Sequence, residues 1–143
     1  MPSATTSNFL YNKQMNYLLH NAGWTAPLSI FIALFTGAPA LDGTGGTEVP
    51  NSATGYARVA ITNGGWSGPS GSNLEYSNTS DVQFGTPTAT WGSISAAGLY
   101  DSAIGGSNEL LFVAYLTVSK QVNNGDGAPK ILAGQLRITR ATC

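Results

Sequence analysis

Two hydrophobic periods divide the chain. Tyr11, Met15, Leu18 and Ala22 recur at i, i+4, i+7 and i+11, the spacing that lines one face of an α-helix. The pattern predicts a helix over about residues 8–20, opened by Ser7 or Asn8, whose side-chain oxygen can accept a free backbone N–H. Asn21-Ala22-Gly23 follows and supplies a glycine for the left-handed turn that ends a helix. At about four turns such a helix is marginal in water and needs a surface to pack on.

From Ser29 onward the period becomes two. Ile30, Ile32 and Leu34 point one way and Phe31, Ala33 and Phe35 the other, which predicts a strand buried on both faces. A long connection over residues 37–54, rich in Gly, Thr, Asn and Pro, leads to a second alternating run at 56–62. Residues 64–69 break it, and shorter strand-like pieces come at 74–76 and 81–84. The runs 94–100 and 110–117 are joined by residues 101–108, which read as a hairpin loop. Asn123-Asn124-Gly125-Asp126-Gly127 then turns the chain into 131–139, where Leu132, Leu136 and Ile138 can face a core. About seven strands behind one helix predict a mainly β chain. It reads as a single-domain β-sandwich of jelly-roll or Greek-key character over about 28–139, with one N-terminal α-helix. Residues 1–7 read as a polar lead and 8–143 as one domain.

Composition agrees with one packed domain. A chain of 143 residues is long enough to bury a core without disulfides or metals. Charged residues are 9% of it, against roughly 25% in average soluble proteins, so its surface is neutral and rich in hydroxyls and glycine. Six Lys and Arg oppose seven Asp and Glu, leaving no basic field to gather nucleic acid. The longest apolar run, residues 30–35, is far short of the roughly 20 residues of a membrane-spanning helix. Residues 1–8 lack the basic start and apolar stretch of a secretory signal, so folding in a cytosol is expected. The lone cysteine, Cys143, cannot form an intrachain disulfide.

The inventory for chemistry is short: one His and one Cys. His20, near the predicted helix end, can bond free carbonyls there. Cys143 is terminal and lacks a fixed base. The acids Asp42, Glu48, Glu75, Asp81, Asp101, Glu109 and Asp126 are scattered over loops without calcium-loop spacing. A small glycosidase built on two of Asp81, Asp101, Glu109 and Asp126 is the remaining enzymatic alternative. The glycines of 43–46 lack the Lys-Ser/Thr pair of a phosphate loop. Asn78-Thr79-Ser80 is a formal glycosylation triplet without an expected use. No catalytic, metal or cofactor residue is therefore expected, and no enzyme. Trp24 and Trp91 read as plugs of the core ends, whereas Trp66, in a Gly-rich stretch, is the aromatic most suited to an interface or a sugar surface.

Several strings, taken in order, resemble a known family. They are residues 30–36 with Pro39, residues 46–49, and residues 55–62; then Phe84 with residues 87–94, residues 98–101, Gly105-Gly106 with Asn108, residues 116–120 before Val122, and residues 133–136. Together they resemble the short tailed-phage virion proteins commonly labelled tail fibre proteins, some relatives of which decorate capsids. The likeness spans most of residues 16–139; the lead 1–7 and the ending 140–143 lie outside it. It implies a non-enzymatic virion structural protein on the outer particle surface, assembled in the host cytoplasm. The leading expectation is a capsid decoration or cement protein held on the major capsid protein. The alternatives are a tail-fibre or receptor-binding tip protein, joined to tail or fibre proteins and meeting a host surface glycan, and, outside the virus class, a carbohydrate-binding module. The likeness also implies a homotrimer, with no nucleic acid, membrane or cofactor as partner. Within its strings, Glu48, Tyr56 and Arg58 bring a carboxylate and a guanidinium to one loop-to-strand junction. That junction is either an ion pair or inter-subunit contact, or an ordinary solvated pair worth under about 1 kcal/mol.

Overall fold

The computed structural model describes residues 4–103 and 108–139. Residues 1–3 of the lead, Gly105 and Gly106 of the hairpin loop, and the ending 140–143 with Cys143 lie outside the described residues. In chain order the elements are β1 (Thr5–Thr6), α1 (Asn8–His20), β2 (Ser29–Gly37), β3 (Thr47–Glu48), β4 (Val59–Thr62), β5 (Trp66–Ser70), β6 (Glu75–Asn78), β7 (Val82–Gln83), β8 (Gly92–Tyr100), β9 (Leu110–Val122), β10 (Lys130–Ile131) and β11 (Arg137–Ile138). A single 3₁₀ turn at Asn63–Gly65 precedes β5. The chain is mainly β with one N-terminal helix, and it layers its sheets as a sandwich of unequal halves.

The larger half is an antiparallel sheet in the order β1-β9-β8-β2-β3, with β4 pairing the first half of the same edge of β2 that β3 pairs further on. Its centre is β2, β8 and β9. As the alternation predicts, β2 is buried on both faces: Ile32 and Leu34 join one apolar cluster, Ala33 and Phe35 another. The first cluster lies between the large sheet and the smaller elements. There Val82, Phe84, Trp91 and Leu136 cover Leu34, Ile94, Leu99 and Ala114. The smaller elements are the three-stranded sheet β11-β6-β5 and the pair β10-β7.

The second cluster depends on a missing side chain. Phe35 and Tyr100 stack with ring centroids 6.2 Å apart. A Cβ added at Gly98 would come within 2.9 Å of Phe35 and 2.8 Å of Tyr100. Glycine is what lets the two rings close over the middle of β8.

Asn78 fastens the small sheet to the C-terminal segment. Its side-chain amide donates to the carbonyls of Ser80 (2.8 Å) and Leu132 (3.0 Å), and its Oδ1 accepts from the Leu136 N–H (3.0 Å). These bonds seat Leu136, which is fully buried. Asn78 is itself buried, so the glycosylation triplet offers no free amide in the folded chain.

Several expectations need correction. The sequence predicts about seven strands, and the described residues form eleven; β1, β3, β7, β10 and β11 are two residues each, too short to leave a period. The described part of the polar lead is built into the body: Thr5 and Thr6 pair with Val113 and Phe112, and Ala4 and Ser7 are buried. Leu132 is half exposed instead of buried: its carbonyl serves Asn78, and its side chain lines the rim of an open pocket with Leu34, Phe84 and Ile131. Trp24 lies half-buried in the connection 21–28 and joins neither cluster, while Trp91 is buried as expected and donates its ring N–H to the Thr54 carbonyl (2.8 Å).

Helix α1 begins where predicted. Ser7 caps it by accepting the Leu10 N–H (3.2 Å) and donates its own hydroxyl to the Leu110 carbonyl. Asn21 rather than Gly23 takes the left-handed position at its end, with φ 50°. The predicted apolar stripe, however, does not face the sandwich: Tyr11 and Leu18 are exposed, and Leu10 is the helix's one buried residue. The cap pins the first turn to β9, and past Leu10 no residue of the helix is buried.

Replacing Asn78 by Ala leaves three backbone groups without side-chain partners. At about 1–3 kcal/mol for each buried group left unsatisfied, partly relieved by water, the Asn78→Ala protein is expected to lose about 2–4 kcal/mol. Urea unfolding followed by tryptophan fluorescence measures this as a lower midpoint at unchanged slope.

Candidate functional site

The three residues singled out at the loop-to-strand junction do meet. β3 holds Glu48 opposite Phe35 on the edge of β2, and Arg58 stands immediately before β4 on that edge. Between the two short strands β2 would have an open N–H at Leu34, and Tyr56 fills the gap: its hydroxyl accepts the Leu34 N–H (2.9 Å) and donates to Glu48 Oε1 (2.9 Å). The Tyr56 ring is clasped by Phe84, stacked at 6.2 Å, and by the edge of Trp91 at 5.4 Å.

Arg58 then closes the arrangement. Its Nε and Nη2 donate to the two carboxylate oxygens of Glu48 at 2.9 and 2.7 Å, the parallel fork geometry that makes such pairs strong. Nη1 donates to the Ser102 carbonyl (3.1 Å) and to Asn108 Oδ1 (2.7 Å). The guanidinium carbon lies 3.9 Å from the centre of the Tyr100 ring, close enough for a cation–π contact. Only 4% of the Arg58 side chain and 20% of that of Glu48 remain exposed. The alternative of an ordinary solvated pair is therefore overturned: the pair is largely desolvated and every long-range bond it makes is specific.

Its electrostatics follow from that burial. Desolvation works against the Arg58 charge, but the bonds and attraction of Glu48 outweigh it, and the guanidinium holds its proton more tightly than usual. Burial pushes the Tyr56 hydroxyl far up, only partly offset by the Leu34 N–H it accepts, and burial likewise raises Tyr100. Both phenols stay protonated. The arrangement holds charge still; it presents no group poised to give or take a proton near neutrality.

Its mechanical effect is to tie the β8–β9 hairpin to the β3–β4 edge. Ser102 and Asn108 stand on the two sides of that hairpin's loop, and the Asn108 N–H donates to Ser102 Oγ (2.7 Å). Just inside them the Asp101 N–H donates to the Glu109 carbonyl (3.1 Å), and Asp101 Oδ1 accepts the Glu109 N–H (2.9 Å). Sequence reasoning missed Ser102, Asn108 and Tyr100 as parts of this site, although Tyr100 and Asn108 lie inside the strings that carried the resemblance.

Trp66 lies elsewhere, at the start of β5. Half-buried, it packs on the main cluster and lines an open groove of about 310 Å³ with Ile30, Tyr76, Phe112 and Ile138. Of the remaining chemical candidates, Asp101 and Glu109 meet at the hairpin neck through the bonds given above, while Asp81 and Asp126 are bonded in their own surroundings. Asp81 pairs with Lys130 (3.2 Å) and accepts the Ala133 N–H (2.9 Å), and Asp126 accepts the Asn123 N–H (2.7 Å) inside its own turn. His20 is exposed and lies 3.2 Å from Asn16 Oδ1, a side-chain partner in place of the helix-end carbonyls. Among the described residues no three His, Cys, Asp or Glu side chains converge as a metal site would require, and no helix is long and apolar enough to cross a membrane.

Arg58→Ala strands the Glu48 carboxylate and frees the hairpin neck, and is expected to cost about 3–5 kcal/mol, the penalty for breaking a buried pair. The Glu48→Leu/Arg58→Leu double variant is expected to lose less than Arg58→Ala alone, because no charge is left uncompensated; a double-mutant cycle in urea measures the difference.

Tyr56 also makes stability depend on alkaline pH. The unfolded chain releases the phenol proton near 10.0, whereas the folded chain keeps it to much higher pH. Above about pH 10 the unfolded state binds fewer protons than the folded one, so stability, intact below that pH, falls as pH rises. Thermal melts from pH 8 to 11 are expected to show this fall, and Tyr56→Phe, less stable at neutrality, is expected to show a shallower one.

A search of curated proteins returns no match. A family described as Podophage GP4 fiber I protein gp80 matches residues 5–139, which takes in both layers of the sandwich, the Glu48–Arg58 clamp and the Trp66 groove. The chain belongs to that family, and so to the fibre-type structural proteins of the phage virion.

Proposed function

We propose that this protein is a non-catalytic tail-fibre or receptor-binding tip module, carried on the outer surface of the particle as a homotrimer and attached there to other tail or fibre proteins. The match over residues 5–139 to a fibre family carries this reading. It is supported by the character of the clamp, where a guanidinium, a carboxylate and two phenols are used to fix a loop, and where none is left to act on a substrate. The carboxylates of Asp42, Asp81, Asp101 and Asp126 accept bonds within their own turns or from a neighbouring segment, and Glu75 pairs with Arg137, which supports the non-catalytic reading.

The structure gives Trp66 little of what sugar recognition uses. A sugar platform offers a free aromatic face with polar groups around it, and here the ring is half-buried among Ile30, Phe112 and Ile138. Such a lining suits an apolar protein side chain better than a hydroxylated ligand, which weighs against the carbohydrate-binding module.

Particle imaging with an antibody or a gold-labelled tag on this protein tests the proposal. Label at the tail is the expected outcome. Label over the shell would transfer the role to capsid decoration, and particles without label would sink a virion role of either kind. Excess purified protein is expected to lower phage adsorption to host cells several-fold if the module is a receptor-binding tip.

A further inference from the structure

The apolar stripe of α1 is the feature of this fold that its own chain leaves unanswered. Tyr11, Met15, Leu18 and Leu19 lie on one face of the helix at i, i+4, i+7 and i+8. Leu18 and Leu19 are 72% and 70% exposed, and Leu28, where the chain returns to the sheet, is 81% exposed. Past the first turn nothing in α1 is buried, and residues 21–28 form no regular structure. Residues 8–28 thus make an arm fixed at its two ends, by the Ser7 cap and by β2. A helix of 13 residues is marginal by itself in water, and an arm of this composition is at a disadvantage unless its stripe is covered.

What covers it is indicated by charge and by area. Within residues 8–28 the charge-bearing residues are Lys13 and His20, with no acid, and neither falls on the stripe of Tyr11, Met15, Leu18 and Leu19, so the face to be covered is apolar. The same chain displays an apolar groove open to solvent, between Ile30, Trp66, Tyr76, Phe112 and Ile138, equally free of charged side chains. Tyr11, Leu18, Leu19 and Leu28 together expose on the order of 500 Å², within the range of the largest apolar patch on an ordinary monomer. With the arm and the groove it covers counted together, each contact buries on the order of 1,000 Å², at the small end of specific interfaces, and each copy in a ring makes two such contacts.

We infer that the α1 arm of one copy lies in the Trp66 groove of the next, with Leu18 and Leu19 as the seated side chains, and that three such contacts close a ring. Arm against groove is a contact between unlike surfaces, which closes by rotation instead of by self-pairing. The inference rests on the homotrimer proposed above and gives it a contact.

Sedimentation velocity of the full chain across a wide concentration range tests it. The unmodified protein is expected to sediment as a trimer. Leu18→Glu/Leu19→Glu is expected to weaken association at least a hundredfold, and Tyr76→Glu at the groove rim to weaken it as well. Both leave the thermal melt of the separated chains near that of the parent core, since these side chains are exposed in the single chain. In a Cys143→Ser background, Leu18→Cys combined with Tyr76→Cys is expected to give covalent dimers and trimers on oxidation. Trimers that persist in the leucine double variant, or that fail to crosslink, overturn the arm-in-groove contact and leave the trimer standing. A monomer at every concentration overturns both.

Discussion

A guanidinium removed from water has to find an acceptor for each of its donors, and in this fold that requirement joins segments far apart in sequence. Arg58 reaches Glu48 ten residues before it, Ser102 forty-four after and Asn108 fifty after. None of those acceptors is in place unless β3 lies on β2, β4 lies beside it and the β8–β9 hairpin has closed. The pair therefore rewards one arrangement of the large sheet and penalises the others. Tyr56 extends the same logic to the backbone, because the Leu34 N–H it satisfies exists as a problem only where β3 and β4 leave a gap along β2. The shape of the edge and the chemistry that fills it are one design.

Much of this was legible from residue patterns. The alternation in residues 30–35 announced a doubly buried strand, and burial divides those residues between two clusters as the period requires. The helix start and the long β8–β9 hairpin were readable for the same reason: each is written in local composition. The two-residue strands were not readable, because pairing of that length is decided by what lies alongside. Glu48, Tyr56 and Arg58 could be named from their proximity in sequence, but the worth of their contact could not. It depends on Tyr100 and the hairpin neck, which folding brings from the other half of the chain.

The α1 stripe is the instructive disagreement. Helical spacing of apolar residues records that a face is to be covered, and it is silent about whose surface does the covering. In the trimer proposed above, a face of this kind is left to a neighbour. The groove around Trp66 raises the complementary point. An aromatic in a Gly-rich stretch was expected to be available to a ligand, and the fold sinks it halfway among aliphatic side chains, turning a platform into a socket.

The short strand β1 carries one more consequence. The Ala4 N–H donates to the Arg137 carbonyl at 2.9 Å, so the start of the described chain is tied directly to β11, near its end. Tension applied between the two ends would load that single backbone bond and the two residue pairs of β1, with the thirteen-residue β9 shielded behind them. The seam at Ala4 and β1 is thereby the part of the large sheet that a pull along the described chain meets first.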